Sequence, residues 1–145
     1  MKNKKGFTLL EIIAVIVILA LLSLLAGVSI NAVSDRVKTK SFCTKIQTIE
    51  AGAMQYGDDK KSSLFTNSQP NVPGCRVSDK SKEACVSVNT LITEGYLKND
   101  IGTNDIVDPR NKNSLMNKTI KLYAKYNRVY AEYQFDSTQD MNACK

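Results

Sequence analysis

The sequence predicts an α+β protein in which a long N-terminal α-helix packs on a small antiparallel β-sheet head. Three observations predict it. From Ile12 to Ser34 no side chain carries a charge, a run that as a helix would extend roughly 34 Å and match a hydrocarbon core of about 30 Å. After it, Val33, Val37, Phe42, Ile46, Ile49, Ala53 and Tyr56 recur largely every three or four residues, the stripe of an amphipathic helix. Near the C-terminus two segments alternate apolar and polar residues, the period of half-buried strands.

The elements follow in order. No proline occurs before Pro70, so one helix is expected from Phe7 to about Tyr56, roughly 75 Å long. Gly27 is its one weak point, and Gly57-Asp58-Asp59 is its expected stop. Residues 58 to 86 are polar and contain Pro70, Pro73 and Gly74, so a long connecting loop is expected there. Ser87 to Lys98 predicts a short helix capped near Ser87, with Val88, Leu91 and Ile92 facing inward and Gly95 ending it. Strands are expected over Lys118 to Tyr126 and Arg128 to Asp136, joined by a tight turn near Asn127. The apolar face of that hairpin would lie across the Phe42–Tyr56 stripe.

Composition limits the function. The chain has 145 residues and a net charge of +6, and Lys2, Lys4 and Lys5 lie just before the apolar run, where basic residues hold an N-terminus in the cytoplasm. The remainder is only mildly basic. There is no histidine, which removes the commonest general base and metal ligand. Serines, aspartates and lysines show no catalytic spacing. The composition points away from an enzyme, and no cofactor is expected.

One residue does not fit a plain anchor. Glu11 stands at the start of the apolar run, and ionisable groups at such positions usually mark a function with a nearby partner. A secretory signal peptide is one reading, with small-residue triplets at Gly27-Val28-Ser29 and Ala32-Val33-Ser34. The run is longer than such a signal needs. A simple signal anchor, giving a monomeric surface-tethered binding protein, is another, and it leaves Gly6 and Glu11 unexplained.

The segment KKGFTLLE resembles the class III signal of type IV prepilins and pseudopilins: a basic leader, a glycine, then Phe-Thr-Leu-x-Glu opening an apolar helix. The resemblance covers Lys4 to Ala26 and implies a pilin-like fold. It implies cleavage after Gly6 by a prepilin peptidase and N-methylation of Phe7 by the same enzyme family. Glycine suits the cut because no side chain obstructs the backbone. The new ammonium group at Phe7 would lie one helical turn from Glu11. In this family the carboxylate is held to attract the terminal amine of the neighbouring subunit.

The implied division is residues 1–6 as leader, 7–34 as the membrane and polymerisation half of the helix, 35–57 as its amphipathic half and 58–145 as the head. The implied partners are other copies or other pilins, the peptidase/methyltransferase, a platform membrane protein and, indirectly, an assembly ATPase. The implied product is a filament subunit for adhesion, motility or attachment, first in the cytoplasmic membrane and then on the cell surface. Competence pseudopilins for DNA uptake and type II secretion pseudopilins share the same leader.

The head carries Cys43, Cys75, Cys85 and Cys144. An even count in a translocated domain reads as disulfides. Three pairings exist, of which Cys75–Cys85 with Cys43–Cys144 is favoured, closing a surface loop and tying the C-terminus to the helix. No CxxC spacing supports zinc. Lys118, Lys121, Lys125 and Arg128, with Arg110 and Lys112 nearby and Tyr123, Tyr126 and Tyr130 interleaved, form a candidate patch for DNA or other anions. A solvated strand face is the plainer reading. Asp105 and Asp108, with Asn111 and Asn113, are a lesser candidate for calcium, which type II secretion pseudopilins can bind in a late loop. Their aromatic and glycine residues after Asp-Pro are replaced here by Arg110-Asn111, so no metal is assigned.

Overall fold

A computed structural model describes residues 8–26, 30–66, 72–79 and 81–144. Two compact units divide at Val37/Lys38. The first holds α1 (Leu9–Ala26) and the start of α2 (Ile30–Asp59). The continuity expected through Gly27 falls outside the described residues.

α1 begins at a cap. The Glu11 amide donates to the carbonyl of Thr8 at 3.0 Å and, at 3.4 Å, to its hydroxyl oxygen. Thr8-Leu9-Leu10-Glu11 thus has the sequence of a capping box, with an acid placed in the positive first turn.

The second unit contains the rest of α2, then α3 (Lys61–Leu64), β1 (Glu83–Ser87), α4 (Val88–Thr93), β2 (Thr119–Lys125), β3 (Arg128–Tyr133) and α5 (Thr138–Ala143). The sheet is antiparallel in the order β1-β2-β3. Its apolar residues Ala84, Val86, Ile120, Leu122, Val129 and Tyr133 join Phe42, Ile46, Ile49 and Ala53 of α2 in one core. The hairpin face therefore covers the helix stripe as expected. The stripe is shorter than its periodicity suggests, because Val33 and Val37 are exposed and packing starts at Phe42.

Two local differences and one expected stop have physical causes. Gly57 lies inside α2, which continues to Asp59. A Cβ there would come within 2.5 Å of Val129 Cγ1, so the glycine serves the close approach of β3 rather than stopping the helix. The expected loop over 58–86 contains α3 and β1. β1 was hidden because its alternation spans only five residues. α4 ends before Gly95, whose φ is +84°. The Tyr96 amide reaches back to the Leu91 carbonyl at 2.8 Å, a Schellman closure that stops the helix well short of Lys98. The Ser87 cap holds as expected, its hydroxyl accepting from the Thr90 amide.

The hairpin turn is Tyr126-Asn127, with φ of 50° and 65°. Two consecutive left-handed residues match the twist of the flanking strands. Lys61 donates to both the carbonyl and the side-chain oxygen of Asn127 at 2.8 and 2.7 Å, fixing the turn from α3.

The outer edge of β3 is closed by α2. Asp58 accepts the Val129 amide at 3.0 Å and Glu50 accepts the Tyr133 amide at 2.9 Å. Eight helical residues rise about 12 Å and four strand residues about 13 Å, so the two carboxylates match alternate outward amides. An edge strand satisfied in this way offers little to a foreign strand.

Candidate functional site

The first candidate is the N-terminal helix. Every described side chain from Thr8 to Ser23 is exposed, with Leu9 and Leu10 at 77% and 79%. Glu11 is the one ionisable group in α1 and lies in its first turn. A helix that is apolar all round is stable only when lipid or protein covers it. Among the described residues no helix is long and apolar enough to cross a membrane. The uncharged run to Ser34 passes through residues outside that set. Gly6 and Phe7 also lie outside it.

The second unit is held together at its C-terminal end. Disulfides join Cys43 to Cys144 and Cys75 to Cys85. The first ties α2 to the residue following α5, and the second closes the loop beside β1. Next to Cys43, the guanidinium of Arg110 lies 3.6 Å from the centroid of the Phe42 ring. It reaches Asp108 Oδ2 through Nη2 at 2.8 Å, donates from Nε to both oxygens of that carboxylate, and pairs with Asp140 of α5 through Nη1. Asp108 is only 4% exposed. Lys45, which the helix pattern places among solvated residues, instead donates to Asp100 at 2.6 Å and to the Val107 carbonyl at 2.8 Å.

These contacts set the protonation of the acids. Burial pushes the Asp108 carboxyl up, but the hydrogen bonds and charge of Arg110 outweigh it and leave it below the usual range. At Asp100 burial is likewise outweighed by Lys45 and the Val107 amide. Arg110 lowers Asp140 through its hydrogen bond, and the Ser78 amide followed by Lys121 lowers Glu83. Burial raises the Tyr133 hydroxyl well above its ordinary value.

The acids therefore bind protons less readily in the folded state than in the unfolded one. Their contribution is complete above the unfolded carboxylate range near about pH 4 and is lost as pH falls through the depressed folded values. Urea unfolding of the full chain in detergent should give a midpoint that is flat from pH 7 to about 5 and declines below about 4. A midpoint that rises on acidification would contradict these assignments.

The expected anion patch is divided by the fold. Lys118 pairs with Asp136, and Lys121 with Glu83 at 2.9 Å. Arg110 is committed to Asp108 and Asp140. Lys125 lies 5.1 Å from the centroid of the Tyr126 ring and is the cross-strand partner of Arg128. Those two remain together at the hairpin tip. The calcium candidates are not gathered: Asp108 is covered by Arg110, Asp105 accepts the Ser114 hydroxyl at 2.8 Å, and Asn111 accepts the Asn113 amide. Among the described residues no group of three acidic or cysteine side chains forms a metal site.

The α+β architecture, with a helical N-terminal region and a three-stranded antiparallel sheet, is pilin-like. Residues 1–27 match the protein-family model described as the prokaryotic N-terminal methylation motif, so the chain carries the type IV pilin prepilin signal. That signal marks a pilin-type structural family and supports a type IV pilin-like or pseudopilin precursor. It implies a membrane-anchored precursor, processing by a prepilin peptidase and assembly into filaments. No curated protein and no solved structure matches the chain.

Proposed function

We propose that this chain is a structural subunit of a type IV pilus or pilus-like filament and is not itself an enzyme. The precursor spans the cytoplasmic membrane once through residues 7–34. A peptidase removes residues 1–6 after Gly6, the Phe7 amine is methylated, and the apolar helices then stack. Residues 35–57 continue the stem, and 58–145 form a disulfide-bonded head on the filament surface. The observation that carries this reading is α1: an apolar helix exposed from Leu9 to Ser23, with Glu11 as its single ionisable residue, lying within the matched prepilin signal.

The partners are further copies or other pilins, a platform membrane protein and, at one remove, an assembly ATPase. Adhesion, attachment or motility follows from long surface fibres; with the same leader, DNA uptake requires an affinity for DNA and type II secretion a short periplasmic piston. Shearing cells and imaging the released material with antibody to the head should decorate fibres along their length. Detection of the head only in detergent-solubilised membranes as a monomer would support a tethered binding protein instead.

A further inference from the structure

We propose that the tip of the β2–β3 hairpin binds single-stranded nucleic acid. Tyr123 and Tyr130, cross-strand partners on the face opposite the core, stack with centroids 5.4 Å apart and an interplanar angle of 14°. In the adjoining turn Tyr126 is 84% exposed. Lys125 and Arg128 flank this aromatic group, and neither has a carboxylate at ion-pair distance among the described residues. The fold adds a third cation, because Lys61 of α3 hydrogen-bonds to Asn127 in the same turn.

Two neighbouring acids are engaged. Glu83 is paired with Lys121, and Asp58 accepts the Val129 amide. Glu132 stands across from Lys121, two pairs further from the tip than the tyrosine stack. The tip thus combines positive charge with accessible aromatic rings.

That combination selects the ligand. An acidic peptide satisfies cations but gains nothing from exposed ring faces. A neutral glycan uses the rings and leaves the cations idle. A duplex hides its base faces in its own stack. A single strand offers both phosphates and unstacked bases, and base–aromatic stacking tolerates any sequence. The site is independent of polymerisation, since each head carries it whole.

The test uses the full processed chain in neutral detergent and a fluorescein-labelled thymine oligonucleotide, read by anisotropy. With two to three phosphate contacts, affinity should fall about 7- to 18-fold between 50 and 200 mM salt. Lys125→Ala combined with Arg128→Ala should remove most of that dependence. Tyr130→Leu should weaken binding about fivefold or more, and Tyr130→Phe should restore it. Lys121→Ala, which touches a cation already paired with Glu83, should leave binding within twofold. Absence of binding, tighter binding to the duplex of the same sequence, or equal displacement by polyglutamate would each overturn the proposal. So would a loss on Lys121→Ala as large as that of the double variant.

Discussion

Glu11→Val is expected to abolish filaments while leaving the precursor made, inserted and trimmed. In the proposed filament, removal of the leader carries the Phe7 ammonium group into the apolar stem. A buried charge left without its partner costs about 3–5 kcal/mol. At about 1.4 kcal/mol per tenfold, that weakens each subunit addition by roughly two to three and a half orders of magnitude. Glu11→Gln keeps the shape and removes the charge, so it should fail almost as badly. The helix cap supplies the control. Thr8→Ala removes a cap contact at a cost of about 1 kcal/mol and should lower fibre yield only modestly, because the carboxylate remains. Immunoblots of the sheared fraction measure all three. Normal yield from Glu11→Val would remove the charge pair from the account.

The second large effect is expected at Arg110→Ala. Asp108 is 4% exposed and receives three hydrogen bonds from this guanidinium side chain. Truncation leaves that carboxylate buried without its counter-charge, frees Asp140 of α5 and uncovers the Phe42 ring. The expected loss is about 3–5 kcal/mol in unfolding free energy. Its pH signature separates it from simple loss of packing. With the Arg110 side chain gone, burial and the nearby Asp140 carboxylate raise the Asp108 pKa against only the residue-110 amide, so the variant should recover part of its deficit as pH falls from 7 towards 5. Arg110→Ala combined with Asp108→Asn should recover part of the deficit at pH 7 and lose that pH dependence. A variant within about 0.5 kcal/mol of the parent at every pH would show that the cluster contributes nothing measurable.

Much of this architecture is legible in the residues because local and tertiary demands coincide. The β2–β3 hairpin alternates cleanly on both sides of Tyr126-Asn127, and its buried side is the side its sequence marks apolar. Ser87 announces α4 by its chemistry, and Gly95 ends it by its backbone. Gly57 misleads because a glycine needed for close approach looks the same as one needed for a turn. The roles of Glu50 and Asp58 are equally hidden: Glu50 reads as a solvated helix residue and Asp58 as part of the helix stop, and only the position of β3 turns them into acceptors for its edge amides. Lys45 and Arg110 read as surface cations for the same reason. Asp108 is close to Arg110 in sequence, but Asp100 lies 55 residues from Lys45 and Asp140 lies 30 from Arg110, where no periodicity connects them. The anion patch shows both limits. Sequence proximity groups Lys118 and Lys121 with Lys125 and Arg128, whereas the fold pairs the first two with acids and brings Lys61 beside the others.

Assembly through a Phe7–Glu11 pair requires that the mature chain begin at Phe7. Mass spectrometry of the N-terminal peptide from the sheared or membrane fraction measures this without any mutant. The predicted peptide starts at Phe7, carries one added methyl group on its terminal amine and contains Glu11 unmodified. A mature chain that retains Met1, or that begins beyond Glu11, would contradict assembly through a Phe7–Glu11 pair and leave a tethered monomer as the better description.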